Sequence, residues 1–480
     1  MDNRKQNKLG NFKKNTGHYG KKPEGKFSKP VQPEKVSEAR MVALRALYDV
    51  YYQDTYSNLA LDKQLKTAVI SDDDKRLATS IFYSCVENRM KIDYMLAPFI
   101  KVKPEQIIEC VLHVAAAQLM FMDRIPPHAA VNEAVNQVKL YKKTEQTPFV
   151  NAVLRSLLRA KEAGEVRLPK ESDGEVSYLA NEYSASGATA AILIDAFGYE
   201  KAKEILAFRH KAHFETARAN MLKTTDGEFE AYMTRMGWKW EKSEIEHSYN
   251  ISGCGNLAIT EEYKSGMYSV QGESASLAAL ACEPKRGMNI LDTCAAPGGK
   301  SALICEKMQC TGRVYAWDLH EHRVDIMKKN ALRLGLDNLR CAVRDACVLK
   351  EDIVGSMDAV VIDAPCSGLG VIADKPDIKY KLTSEKLTDI TKTQKQILDT
   401  CCEYVKPGGI LVYSTCTILP CENEEIIHAF LLAHPEFKPE TDTKYLPERL
   451  RPLCKDGQIS LLQSRDGVEG FFIARMRRVI

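Results

Sequence analysis

Residues of one helical face recur at spacings of three and four between Ser37 and Ala163, as in Met41, Leu44, Leu47, Tyr48 and Tyr51 and again in Val111, Val114, Ala115, Gln118 and Leu119. This stripe predicts amphipathic helices. Prolines 98, 104, 126, 127 and 148 interrupt it, so residues 36–163 are expected to form a bundle of several helices. A polar stretch from Lys161 to Gly174 reads as a linker. Tyr178 to His210 returns to a helical pattern, and the chain up to Tyr268 mixes short β-like runs, Ala217–Leu222 and Trp238–Trp240, with turns. Residues 175–268 are therefore expected to form a small α+β subdomain.

From Met288 the period changes. Short aliphatic runs, Asn289–Asp292, Arg313–Asp318, Leu339–Val343, Ala359–Asp363 and Gly409–Ser414, alternate with helical stretches. That alternation predicts a parallel sheet with helices on both faces over residues 269–480, and a ligand beyond the carboxyl ends of its strands.

Length and charge refine this picture. With 480 residues, 45% of them hydrophobic and 27% charged, the chain is too long for one core and too apolar to be disordered throughout. The net charge of +3 is unevenly placed. Ten Lys/Arg in residues 1–35, against Asp2, Glu24 and Glu34, give +7, so the rest carries −4. Residues 1–35 are expected to be a disordered basic tail, either solubilising or attracted to phosphate backbones. The 15 cysteines have irregular spacing and no CxxC pair, which argues against a disulfide framework or a zinc site and for reduced thiols in the cytoplasm. No apolar run reaches membrane-spanning length, so no membrane contact is expected.

The candidate chemistry sits at the strand ends. The first predicted strand runs into Asp292-Thr293-Cys294-Ala295-Ala296-Pro297-Gly298-Gly299-Lys300, whose small residues let a nucleoside approach the backbone. GxGxxG is absent, which disfavours a nicotinamide dehydrogenase, and Cys294 stands where a P-loop needs its first glycine, which disfavours an ATPase. Asp318 ends the second strand, where a carboxylate can bind ribose hydroxyls. Asp345 follows the third, as an adenine contact or a helix cap. The fourth strand leads into Asp363-Ala364-Pro365-Cys366-Ser367-Gly368 and the fifth into Tyr413-Ser414-Thr415-Cys416-Thr417. One cysteine in such a place is more often a small buried side chain than a nucleophile, but two at corresponding strand ends point to chemistry.

These motifs, with Gly470-Phe471-Phe472-Ile473-Ala474-Arg475, resemble the Sun (RsmB-type) family of ribosomal RNA cytosine-5 methyltransferases. Ile125-Pro126-Pro127-His128-Ala129-Ala130-Val131-Asn132-Glu133 and Phe149-Val150-Asn151-Ala152-Val153-Leu154-Arg155 are similar to that family's NusB-like RNA-binding domain. The resemblance implies a Rossmann-like S-adenosylmethionine-dependent methyltransferase domain behind an all-α domain. It places the cofactor on Cys294, Ala295, Ala296, Pro297, Gly298, Gly299 and Lys300, with Asp318 on the ribose, Asp345 near the adenine and Asp363 beside the methyl group. It makes Cys416 the nucleophile, Cys366 the aid to later elimination and Asp363 a partner of the base's polar edge. The implied partner is small-subunit ribosomal RNA, and a monomer with no metal is expected. Transfer RNA or another ribosomal site as substrate, and a noncatalytic RNA-binding factor, are the alternatives; the last does not account for both thiols. Ala373, Asp374 and Lys375 stand where relatives have Arg, Arg and His, and Tyr380 where they have Trp, positions expected to contact RNA. Gly272 stands where an Asp is usual.

Overall fold

The computed structural model describes residues 36–209 and 214–480; the expected basic tail, 1–35, lies outside the described residues. Seven helices form the first domain: α1 (Glu38–Tyr52), α2 (Ser57–Thr67), α3 (Asp72–Glu87), α4 (Arg89–Leu96), α5 (Gln106–Phe121), α6 (Pro127–Leu140) and α7 (Thr147–Ala163). The prolines open helices. Pro127 is the first residue of α6 and Pro148 the second of α7, where the missing N–H has no intrahelical partner to lose. Ser71 caps α3 by accepting the Asp74 N–H, and Asp72, Asp73 and Asp74 complement the positive end of its dipole. The predicted face of α5 is buried, but so is the rest of Cys110–Leu119, because α5 is the central helix of the bundle, packed by α1, α3, α6 and α7. Its one buried amide, Gln118, accepts from Arg40 and donates to Val114 O.

Residues 175–268 hold two separate cores. Helices α8 (Glu175–Tyr183), α9 (Gly187–Phe197) and α10 (Tyr199–Ala207) pack with Leu369, Ile372, Leu382 and Leu419 of the catalytic region. Next come β1 (Glu215–Ala219), α11 (Asp226–Arg235), β2 (Lys239–Lys242), β3 (Ser248–Ser252), α12 (Glu261–Ser265) and β4 (Tyr268–Val270). Their antiparallel sheet, ordered β2-β3-β1-β4, closes over Phe229, Tyr232, Tyr249 and Tyr268. The run expected to reach Leu222 stops at Ala219, because Asn220 turns the chain by donating to Gly266 O and Leu334 O and accepting the Leu222 N–H.

The catalytic region comprises α13 (Glu273–Leu280), β5 (Asn289–Asp292), α14 (Gly299–Lys307), β6 (Arg313–Asp318), α15 (Glu321–Leu334), β7 (Leu339–Val343), β8 (Met357–Asp363), α16 (Ser384–Cys401), β9 (Val405–Thr415), α17 (Glu424–Ala433), β10 (Phe437–Pro439), β11 (Gln458–Leu461) and β12 (Phe471–Arg478). The strand order is β10-β12-β9-β8-β5-β6-β7, parallel from β9 to β7, with β12 antiparallel to β9. From β5 the chain moves outward to β6 and β7, then returns to β8 on the other side. The crevice at the carboxyl ends of β5 and β8 is therefore the switch point where such sheets bind ligands. No helix among the described residues is long and apolar enough to cross a membrane.

The loop after β8 docks on the helical domain. Asp377, fully buried, accepts the Ser57 hydroxyl at 2.6 Å, and Tyr380 donates to Val86 O at 3.1 Å. Lys379, also buried, donates to Tyr183 O at 2.7 Å, and Arg89 lies 3.9 Å from the Tyr51 ring and 5.2 Å from the Tyr380 ring. Tyr380, expected at the RNA surface, is instead part of this interface. Ser57→Ala leaves the buried Asp377 carboxylate short of a donor and should cost about 1–3 kcal/mol, measured as a lower midpoint in urea denaturation.

Candidate active site

The loop after β5 lies across the sheet edge, with the Thr293 N–H on Val361 O at 3.0 Å and the Ala295 N–H on Trp317 O at 2.7 Å. It enters α14 through Gly298 at φ +102°, where a Cβ would also press on Met327 at 3.3 Å. Asp292 is fully buried; one oxygen accepts the Ser301 hydroxyl at 2.6 Å and the other meets no protein donor. Burial holds its pKa up at about 6. Cys294 lines the same loop, and burial pushes its thiol up to about 12, so it serves as a small side chain rather than a nucleophile.

The three predicted carboxylates line the same edge. Asp318 ends β6, buried, accepting the His320 N–H at 3.0 Å with Arg323 at 3.3 Å. Asp345 lies exposed beyond β7 and accepts the Cys347 N–H at 2.9 Å. Asp363 ends β8, pairs with Lys300 of α14 and accepts the Ser414 hydroxyl at 3.0 Å. Burial pulls the Lys300 amine down, but the charge and hydrogen bond of Asp363 outweigh it and hold the amine above its ordinary value.

Two thiols meet beside this pair. Strands β8 and β9 run in register, with Asp363 opposite Ser414, so the loops that follow them are neighbours. Cys366 Sγ lies 3.2 Å from Cys416 Sγ. The hydrogen bond from Cys366 lowers the Cys416 pKa; burial and Asp363 oppose this, while Lys375 and Lys300 add to it. Cys366 moves the other way, raised well above its ordinary value by that same bond, by burial and by the Cys416 charge. The arrangement lowers the pKa of one thiol and raises that of its neighbour, both beside Lys300 and Asp363.

A cation carrying ribose hydroxyls and amino groups suits this edge. Asp318, Asp345 and Asp363 offer acceptors, Asp292 has a buried oxygen without a protein donor, and the Lys300 amine is already paired with Asp363. A nucleotide's phosphates would meet carboxylates instead of a cradle of free donors. S-adenosylmethionine, which is cationic and has no phosphate, fits.

Sequence patterning brought Cys366, Cys416, Asp363, Lys300, Asp318, Asp345 and the loop Cys294–Lys300 to the right edge. It assigned no role to Asp292, Ser414, Gln394 or Glu422. Asp292 and Ser414 lie inside the motifs at strand ends and were findable from that position. Gln394 and Glu422 carry no such signal.

Residues 279–477 match the family described as 16S rRNA methyltransferase RsmB/F, and residues 37–159 match the NusB family. Over 449 residues the chain is 37% identical to the probable ribosomal RNA small subunit methyltransferase B of Bacillus subtilis (strain 168), covering 92% of this chain and 99% of that protein. The similarly named protein of Synechocystis sp. is 28% identical over 92% of this chain and 99% of its own length. Among solved structures, the crystal structure of PH0851 superposes with a TM-score of 0.78 at 25% identity, covering 93% of this chain and 99% of that one. A NusB-type helical domain, the sheet order, the carboxylate-lined switch point and an identity of 37% that runs through both domains lead to one assignment: the chain belongs to the RsmB/F family of S-adenosylmethionine-dependent rRNA methyltransferases.

Proposed function

We propose that this protein methylates carbon 5 of a cytosine in small-subunit ribosomal RNA through a covalent cysteine adduct. The observation that carries the reading is the contact of two thiols at 3.2 Å at the switch point of a methyltransferase sheet. Carbon 5 of cytosine is a weak nucleophile. Addition of the Cys416 thiolate to carbon 6 forms an S–C6 bond and pushes electron density to carbon 5, dividing one hard step into easier ones. Asp363 holds the amino edge of the ring and stabilises its protonated form as the negative charge moves into it. The cofactor, when bound by the loop Cys294–Lys300 with Asp318, Asp345 and Asp363, supplies an electrophilic methyl group to carbon 5. Transfer of the carbon 5 proton to solvent water then lets the electron pair of that C–H bond form the C5–C6 double bond, which breaks the S–C6 bond and returns Cys416 as thiolate. Once Cys416 is a thioether it no longer draws on the Cys366 hydrogen bond, which frees Cys366 to assist this elimination. The base has to leave its stack to reach both sulfurs, so an unpaired or extruded cytosine is the substrate.

The small-subunit RNA follows from the names of the relatives, and the NusB-type domain supports RNA binding. At 373–375 a single cation, Lys375, replaces the Arg-Arg-His of relatives, so phosphate and base contacts there are reduced.

Cys416→Ala should abolish methyl transfer to RNA, measured with radiolabelled cofactor. Cys366→Ala, assayed over a range of rising pH to offset the lost lowering of Cys416, should accumulate a protein–RNA adduct stable on denaturing gels; normal turnover by Cys416→Ala would remove Cys416 from the nucleophile's role. Bisulfite sequencing of ribosomal and transfer RNA from a deletion strain should show one cytosine losing protection, and its location names the substrate.

The thiol pair also sets a pH dependence. Cys416 reacts as thiolate above its pKa and is silent below it. Removing the Cys366 hydrogen bond removes the leading cause of the lowering. In Cys366→Ala the midpoint of Cys416 alkylation by iodoacetamide, followed by peptide mass mapping against pH, should therefore move to higher pH.

A further inference from the structure

The strands place Asp363 and Thr415, but Cys366 and Cys416 lie beyond them on loops, where a second set of bonds holds them. Glu422, at the end of the turn Pro420–Glu422, is fully buried. One carboxylate oxygen accepts the Ser367 N–H at 2.9 Å and the Gln394 amide at 3.0 Å. The other accepts the Ser367 hydroxyl and, at 3.1 Å, the Thr417 hydroxyl. Ser367 follows Cys366 and Thr417 follows Cys416. Gln394, buried in α16, also donates to Pro365 O at 2.9 Å, so Cys366 is held on both sides. Asn423 completes the set for Cys416, accepting the Thr415 hydroxyl at 2.6 Å and donating to Thr417 O at 3.1 Å.

A buried carboxylate is costly unless paired or richly hydrogen-bonded. No cation pairs with Glu422 among the described residues; four donors converge on it instead. A carboxylate, with acceptors only, matches a shell of donors only. Glutamine, of the same shape, would turn an amide N–H₂ against them.

We propose that Glu422, with Gln394 as its second contact, is a positioning residue of the reaction: its carboxylate ties the two cysteine loops together at the spacing where both sulfurs address one cytosine ring. This rests on the cytosine-5 reading above. Its charge has a second, smaller effect: after the Cys416 hydrogen bond, burial and the Cys416 charge, Glu422 adds to the upward shift of the Cys366 thiol.

Glu422→Gln tests the clamp. The expected result is a kcat lower by about 10- to 100-fold, with RNA Kd and cofactor KM near wild type, since a small misplacement of reacting groups acts on the chemical step. A readout without RNA or cofactor accompanies it: the rate at which dibromobimane, a short bifunctional thiol reagent, bridges Cys366 to Cys416, identified by peptide mapping. This bridging should slow in Glu422→Gln. If that variant fails a thermal-unfolding check, the double variant Ser367→Ala/Thr417→Val removes the hydroxyl contacts and keeps the carboxylate, with the same two outcomes expected. Wild-type kcat in a folded variant, or slowed turnover with bridging at the wild-type rate, overturns the proposal. Slowed bridging in a protein whose wild-type form methylates no cytosine supports the clamp and refutes the function proposed above.

Discussion

Two sulfur atoms 3.2 Å apart impose the constraint around which the catalytic domain is arranged. Each comes from a different loop, so their separation depends on strand register, on loop shape and on how closely the backbones approach. The register is set by β8 and β9, buried on both faces and paired from Ala359 to Asp363. The approach is set by glycines. The Gly370 N–H reaches Cys416 O and the Gly470 N–H reaches Gly370 O, both at 3.0 Å, and a Cβ on Gly370 would fall 2.0 Å from Gly470 O. Three chain segments can stack beside the thiols only because those two positions carry no side chain. The motif Gly470-Phe471-Phe472 thus belongs to the site through its backbone.

Electrostatics pull this site in two directions. A cationic cofactor calls for carboxylates, while a thiolate calls for positive charge, and both have to share one sheet edge. Lys300 reconciles them. Burying ions costs several kcal/mol each, and the Lys300–Asp363 pair offsets part of that cost for both while leaving an amine near Cys416. The lowering of the Cys416 pKa comes chiefly from its neighbour, through a Cys366 hydrogen bond that adds no net charge, and Lys375 and Lys300 add to it.

Much of this was legible in the chain because buried parallel strands read as short continuous apolar runs. Asn289–Asp292, Arg313–Asp318 and Leu339–Val343 coincide with β5, β6 and β7. The fifth run is read from Gly409, whereas β9 begins at Val405, because Lys406-Pro407-Gly408 has turn composition and lies in the register shift between the pairs Met357–Val405 and Ala359–Ile410. Helices α8–α10 looked continuous with the small sheet since their pattern shows only that one face is apolar. What covers that face, Leu369, Ile372 and Leu419, lies more than a hundred residues away. The site divides in the same manner. Asp318, Asp363, Cys366 and Cys416 are marked by standing at strand ends, a local signal. Gln394 is a polar residue inside a helix and Glu422 one acid among several after Cys416; their importance lies wholly in side-chain bonds to distant residues.

The docking of the helical domain follows from the same loop that carries Cys366. Fifteen residues separate Cys366 from Leu382, and within them Asp377, Lys379 and Tyr380 each spend their polar group on the helical part of the chain. Arg89 is used there too, stacked between Tyr51 and Tyr380. Lys379 shows how dry the interface is: burial pulls its amine down to about 7 while the amine donates to Tyr183 O. Polar groups consumed inside an interface are unavailable to a ligand. Asp374 and Lys375 are the exposed charged residues of the loop between Cys366 and Asp377, so few charged groups of this loop remain for a ligand next to the thiols. The helical domain is in turn joined by buried bonds to the same loop that carries Cys366, which makes the two regions of the chain one packed unit at this point.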